Sequence, residues 1–312
     1  MIRRIISCFE TLWNSKHTKN ILTLGSIFFS LGILSWLIYS QWDLLKSRLE
    51  NFQPQILPIS FSIYTAILLL TSGVWADIMN RLGHKVSFKK HFLAFCISAL
   101  GKRLPGTLWY IAWRANFYKE DGYSTKFLVL TSGIEMVCIV LAAIIVSLLF
   151  SLSLILKFSY SIIGFLIIIV AIIFFLHPKI QKIILAKLNL DLHEFGYENI
   201  IKWSLFYIFI WIMIGTLLYS FGNLYSHFSF SELGYFIGAT ALTGVLSRLF
   251  LLLPSHFGFG EVSLSLLLSG IMPTSVAVII ALSNRIIIIL FELIWGLLAV
   301  GINYTFARNN PK

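Results

Sequence analysis

Charge is scarce in this chain of 312 residues: Asp, Glu, Lys and Arg make up 12% of it, about half the ~25% usual in a soluble domain. Groups that need water are few because most of the chain meets none. A soluble enzyme and a disordered segment are thereby excluded. Cysteine is limited to Cys8, Cys96 and Cys138, with no CxxC spacing, so neither a disulfide framework nor a cysteine metal site is indicated. The histidines fall into no HExxH-type pattern, and no metal or other cofactor is expected. Only four aspartates occur (Asp43, Asp77, Asp121 and Asp191), without a DxD pair.

What the chain has is apolar length. Stretches without Asp, Glu, Lys or Arg cover 20–42, 51–76, 136–156, 158–178, 203–231 and 262–284. A helix needs roughly 20 apolar residues to span a bilayer, so six full spans are predicted. The runs are continuously apolar rather than alternating, which excludes a β-barrel. The expected fold is therefore an all-α polytopic membrane protein, a single integral membrane domain over 1–312. The net charge of +11 is read as a topology signal rather than a nucleic-acid footprint.

Loop charges set an orientation. The N-terminus, with Arg3, Arg4, Lys16 and Lys19, reads as cytoplasmic, and 21–40 as a retained first span. The 80–91 loop (Arg81, Lys85, Lys89, Lys90), the 177–202 loop (Lys179, Lys182, Lys187, Lys202) and the tail (Arg308, Lys312) also read as cytoplasmic. The 41–58, 152–160 and 222–232 loops, poor in net positive charge, read as external. Ile180 to Phe195 mixes Lys, Asp and Glu with Ile and Leu, as an interfacial helix does.

Two regions do not read as ordinary spans. In 91–114 the apolar pieces are short, and Lys102, Arg103, Pro105 and Gly106 interrupt the middle. Two cations there would cost about 2.5–3.5 kcal/mol each, and Pro and Gly break the helix. The following 114–126, with Arg114, Lys119 and Lys126, reads as a loop on the cytoplasmic side, so 91–114 is expected to be a re-entrant hairpin. In 233–270 the break lies at Arg248 and the turn-rich Pro254 to Gly260, and a second hairpin from the opposite face is expected, the alternative with the same end points being two short spans that cross fully. The order span, span, hairpin, span (21–40, 59–79, 91–114, 127–151) over about 21–151 then repeats (160–176, 203–221, 233–270, 276–301) over about 160–301. Three crossings per half invert the second half relative to the first. Interrupted helices at matching places in inverted halves point to a transporter's binding site.

Ionisable groups in these segments usually face a bundle interior or a substrate path. They are Lys102, Arg103, Arg114, Glu135, Arg248, Glu261, Arg285 and Glu292. Arg285 and Glu292, two helical turns apart, share one face of the last span. Five cations against three anions predict a net positive centre, suited to a phosphate-bearing headgroup. The plainer reading of the same residues is a set of structural ion pairs that hold the hairpins against the bundle.

Gly101-Lys102-Arg103-Leu104-Pro105-Gly106-Thr107-Leu108-Trp109, followed by Arg114 and Gly122, resembles the "LPG…W…R…G" signature of the lysylphosphatidylglycerol synthase transmembrane-region family, the flippase-like domain proteins. Pro254, Gly258 and Glu261 resemble its "P-x-x-x-G-x-x-E" element, with Glu135 and Arg285 where the family carries a glutamate and an arginine. The chain differs at Gly260, Ser255-His256 and Met136, where the family tends to have a basic residue, a Gly pair and an arginine. The resemblance implies handling of membrane lipids without the soluble aminoacyl-transferase domain of the full-length synthases. The expected function is a flippase-like translocase in the plasma membrane, acting on an anionic phospholipid or a polyprenyl-phosphate-linked lipid of the envelope. Lys102, Arg103, Pro105, Gly106, Trp109, Arg114, Arg248, Pro254, Gly258 and Arg285 are its candidate substrate-binding residues. Glu135, Glu261 and Glu292 join them to balance cations, recognise an amino group or carry a coupling proton. Envelope-synthesis enzymes are the expected protein partners. The alternatives are a membrane glycosyltransferase and a non-transporting subunit of an envelope-synthesis complex.

Overall fold

The computed structural model describes residues 53–83, 85–101, 109–156, 196–249 and 259–309, together with Tyr39, Trp42, Asp43 and Lys46. Among the described residues every regular element is helical. The α-helices are α1 (Ile56–Leu82), α2 (Phe88–Gly101), α3 (Trp109–Tyr118), α4 (Thr125–Leu156), α5 (Tyr197–Gly222), α6 (Leu233–Leu249), α7 (Phe259–Leu268) and α8 (Thr274–Asn309). Short 3-10 turns at Lys119–Asp121 and Phe230–Glu232 join α3 to α4 and lead into α6.

Length sorts these helices into two kinds. α1, α4, α5 and α8 have 27, 32, 26 and 36 residues, and a helix rises about 1.5 Å per residue. Each exceeds the ~30 Å of a bilayer's hydrocarbon core, and each is apolar enough to cross it. They match the spans expected at 59–79, 127–151, 203–221 and 276–301. The arms α2, α3, α6 and α7 have 14, 10, 17 and 10 residues, and none alone reaches across. The spans expected at 21–40 and 160–176, and the interfacial stretch from Ile180, lie outside the described residues.

Side-chain contacts fix the directions. α1 and α5 are antiparallel, because Ser60 hydrogen-bonds Ser220 at 2.8 Å while Asp77 accepts from Trp203 at 2.8 Å. α2 and α3 also run antiparallel: Lys90 meets Asp121 at 2.6 Å, and His91 hydrogen-bonds the Tyr118 hydroxyl at 2.7 Å. Likewise Tyr235, early in α6, donates to the Leu267 carbonyl late in α7 at 2.6 Å. The two short pairs open toward opposite ends of the bundle. The α2–α3 pair opens where α1 ends and α5 begins, with Tyr123 packed on Gly83. The α6–α7 pair opens where α4 and α5 end, with Gly234 and Gly238 of α6 against Phe150 and Ser151 of α4.

The two ends differ in charge. Arg81, Lys85, Lys89, Lys90, Lys119, Lys126 and Lys202 gather at the first. Residues 53–58, 223–232 and 269–274, at the second, include no Lys or Arg.

Close approach at glycine holds the α6 arm in place. A Cβ at Gly238 would collide with the Ser151 hydroxyl and the Phe150 backbone, and one at Gly244 with the Trp211 ring. Helices packing within a bilayer favour such small residues because dispersion contacts must replace the missing hydrophobic drive. Gly122 has a different task. Its φ of 79° turns the chain from the 3-10 segment toward α4, a conformation that costs glycine little.

The structure corrects two boundaries. The 80–91 loop shrinks to Gly83–Ser87, because Arg81 completes α1 and Lys89 and Lys90 open α2. The turn is clamped by Asn80, whose side chain accepts from the Val86 N–H at 2.8 Å and donates to its carbonyl at 3.3 Å. The 114–126 segment is not a loop from its start: α3 continues to Tyr118, and Arg114 is buried within it. An ion pair at mid-bundle makes that burial possible.

Candidate functional site

Arg114 of α3 donates from Nη1 to Glu135 Oε2 at 2.6 Å, and the two side chains are 3% and 5% exposed. A charge-assisted bond this short is among the stronger hydrogen bonds, and its partners lie where either charge left unpaired would be costly. The Trp75 and Phe95 rings face the guanidinium at 4.1 and 4.7 Å, so π-electron density contributes to holding the cation. Tyr207 of α5 donates to the other carboxylate oxygen, Oε1, at 3.0 Å. One centre thus draws on α1, α2, α3, α4 and α5.

A polar chain leads from it to the basic end. The Trp75 indole N–H donates to the Tyr118 hydroxyl at 2.8 Å, the hydroxyl meets His91 Nδ1, and His91 Nε2 lies 3.2 Å from Asn80 Oδ1. Asn80 Oδ1 also accepts the Val86 N–H. The His91 proton is therefore assigned to Nε2, with Nδ1 accepting from Tyr118.

The second half carries a matching pair with its signs exchanged. Glu261, in the first turn of α7, meets Arg285 of α8 at 3.2 Å, with side chains 17% and 33% exposed. In each half the second short arm supplies one charge and the next long helix the other. In the first half the arm is cationic, and in the second it is anionic. Glu135 lies ten residues into α4 and Arg285 eleven into α8, each about 15–17 Å from its helix's start. Because those helices start at opposite ends, the pairs sit at comparable depth near mid-bundle. Glu261 at a helix N-terminus and Arg248 in the last turn of α6 also complement their helix dipoles.

The rest of the expected set divides. Arg248 bonds the Gly244 carbonyl at 2.9 Å and lies over the Trp211 ring at 5.4 Å. Glu292 lies half-buried on α8, and Arg285 of the same helix forms an ion pair with Glu261 of α7. Trp109 opens α3. Lys102, Arg103, Pro105, Gly106, Pro254 and Gly258 lie outside the described residues, and with Lys102 and Arg103 so does the whole of the expected positive excess.

Residues that sequence reasoning passed over line one face of α5. Trp203, Tyr207 and Trp211 follow at intervals of four. Trp203 donates to Asp77 of α1, Tyr207 to Glu135 of α4, and Trp211 to the Ile139 carbonyl at 3.0 Å while its ring faces Arg248 of α6. Asp77 is further bound by Arg81 at 3.0 Å and Lys202 at 3.3 Å. The i, i+4, i+8 spacing of amphipathic aromatics in an otherwise apolar run was the available signal.

Long apolar helices, short antiparallel arms and ion pairs between them define a multi-pass α-helical membrane protein. Residues 23–296 match the family model described as the lysylphosphatidylglycerol synthase TM region, and the chain belongs to that family. No curated protein matches the chain.

Proposed function

We propose that this protein is a flippase-like lipid translocase of the plasma membrane, acting on an anionic phospholipid or polyprenyl-phosphate-linked lipid of the envelope. The observation that carries the reading is the pair of sign-exchanged ion pairs at mid-bundle, each joining a short arm to a long helix. Charge at that depth is costly and usually functional. Short arms opening to opposite ends suit two re-entrant hairpins in an inverted repeat, with the substrate entering between them. The first half is taken as about 21–151 and the second as about 160–301, within one membrane domain. The charge asymmetry supports cytoplasmic termini, since Lys and Arg concentrate on the cytoplasmic side.

In this reading Arg114 and Arg285 engage the headgroup phosphate, joined by Lys102, Arg103 and Arg248, while Glu135, Glu261 and Glu292 balance them. The Pro and Gly positions of the two breaks and Trp109 shape the passage. Envelope-synthesis enzymes are the natural suppliers of the lipid. The test is reconstitution into phosphatidylcholine vesicles with acyl-labelled phosphatidylglycerol, scored by dithionite bleaching of the outer leaflet. Wild type should expose the inner-leaflet label. Arg114→Lys and Arg285→Lys should slow the exposure while keeping thermal stability, because lysine lacks the planar two-pronged donor. Wild-type vesicles no faster than empty ones, across a panel that includes a polyprenyl phosphate, would sink the proposal.

A further inference from the structure

We infer that Ser132 and Ser204 bind hydroxyl groups of the lipid's headgroup, so that the phosphate handled is one esterified to a polyol, glycerol or a sugar. The inference rests on the translocase reading and adds the headgroup's chemistry to it. Its basis is a pair of buried hydroxyls, one on α4 and one on α5, that flank the Glu135–Tyr207 contact and are left unused there.

A buried serine or threonine inside a helix has an easy partner, the carbonyl three or four residues back. Ser72 uses it toward Leu68 at 2.7 Å, Thr131 toward Phe127 at 3.0 Å, and Ser147 toward Ala143 at 2.7 Å. Ser132 and Ser204 do not, although they are 2% and 4% exposed. The Ser132 hydroxyl finds no hydrogen-bond partner among the described residues. Ser204 has only the Cys138 sulfur beside it, too weak an acceptor to satisfy it. A buried hydroxyl left in that state is costly, and Ser151, at the break in α4, is the other fully buried serine that shares it. Ser132 stands three residues before Glu135, and Ser204 three before Tyr207, so each lies on the same side of its helix as a member of that contact. Cys138, three residues beyond Glu135, closes the group through Ser204. A phosphate on Arg114 therefore brings the next atoms of its headgroup to a carboxylate, a phenol and two idle hydroxyls. Serine both donates and accepts, as a ligand hydroxyl does, whereas an ammonium only donates. Vicinal hydroxyls two or three bonds beyond the phosphate are the groups that such a set satisfies.

The experiment is vesicle transfer of matched phosphodiesters by the full chain. Phosphatidylglycerol is set against phosphatidylpropanol, which has the same charge and no headgroup hydroxyl. A polyprenyl glucosyl phosphate is set against the polyprenyl methyl phosphate. In at least one of the two sets wild type should move the hydroxylated member about tenfold faster, and that set identifies the source of the polyol. Ser132→Ala and Ser204→Ala should each slow the hydroxylated member about three- to tenfold, the value of one hydrogen bond, and leave its hydroxyl-free control unchanged. Both variants should melt no lower than wild type, because each removes a hydroxyl that bonds little in the resting protein. Equal wild-type rates within both sets would overturn hydroxyl recognition and leave the translocase reading standing. A preference that survives in both variants, or rates that fall together with a lowered melting temperature, would overturn the assignment to these serines and leave them as packing. No transfer of any of the four lipids above empty vesicles would overturn the translocase reading, and this inference with it.

Discussion

At the scale of single residues, the Arg114–Glu135 contact should be the most sensitive point described. Glu135→Ala leaves a guanidinium buried and unbalanced, and removing one member of such a pair typically costs about 3–5 kcal/mol. Thermal unfolding in detergent should show that loss, and Arg114→Met made with it should recover much of it. A double variant no better than the single would mean that the two charges do not compensate each other. Tyr207→Phe removes one donor to a carboxylate and should cost about 1.5–3 kcal/mol by the same measurement. Arg114, Glu135, Glu261 and Arg285 were all legible in the sequence, because charge in an apolar run is conspicuous. Their pairing was not. Helical spacing placed Arg285 with Glu292 on one face, but Glu261, 24 positions earlier, reaches it across an interface that only the fold creates. Tyr207 escaped notice for the opposite reason, since one hydroxyl in an aromatic-rich span is inconspicuous until its partner is known.

At the scale of elements, the four long helices and the two interrupted regions could be read directly, since twenty apolar residues or a Pro-Gly break with cations leave little choice. The ends of elements were less legible. α3 runs past Arg114 because the buried partner on α4 removes the penalty that made the residue look like part of a loop. The glycines of α6 offer a direct test of the packing. Gly244→Val would drive a side chain into the Trp211 ring, and overpacking of this kind costs about 1–3 kcal/mol. Gly133 of α4 meets nothing within 4 Å of the place where a Cβ would stand. Gly133→Ala should therefore raise stability, by up to about 1 kcal/mol, as expected in a helix interior. Melting temperatures that move in the same direction for both variants would contradict these helix contacts.

At the scale of the whole molecule, α2 and α3 begin and end at the basic face, so Ser87 and Ser124 should share one side of the membrane. Ser87→Cys and Ser124→Cys should both resist an impermeant thiol reagent in intact cells and react once the membrane is opened. Labelling of Ser124→Cys alone would show that the 91–114 segment crosses. The exchange of signs between the two ion pairs has a further, electrical consequence. The first short arm carries Arg114 and the second Glu261, so opposed displacements of the arms along the membrane normal move charge in the same sense. Displacements in one direction cancel. A full elementary charge crossing the field gains or loses about 2.3 kcal/mol per 100 mV, and each arm would traverse only part of it. Transfer driven by opposed arm motion should therefore change with a potassium diffusion potential imposed by valinomycin, and Glu261→Gln should weaken that voltage dependence.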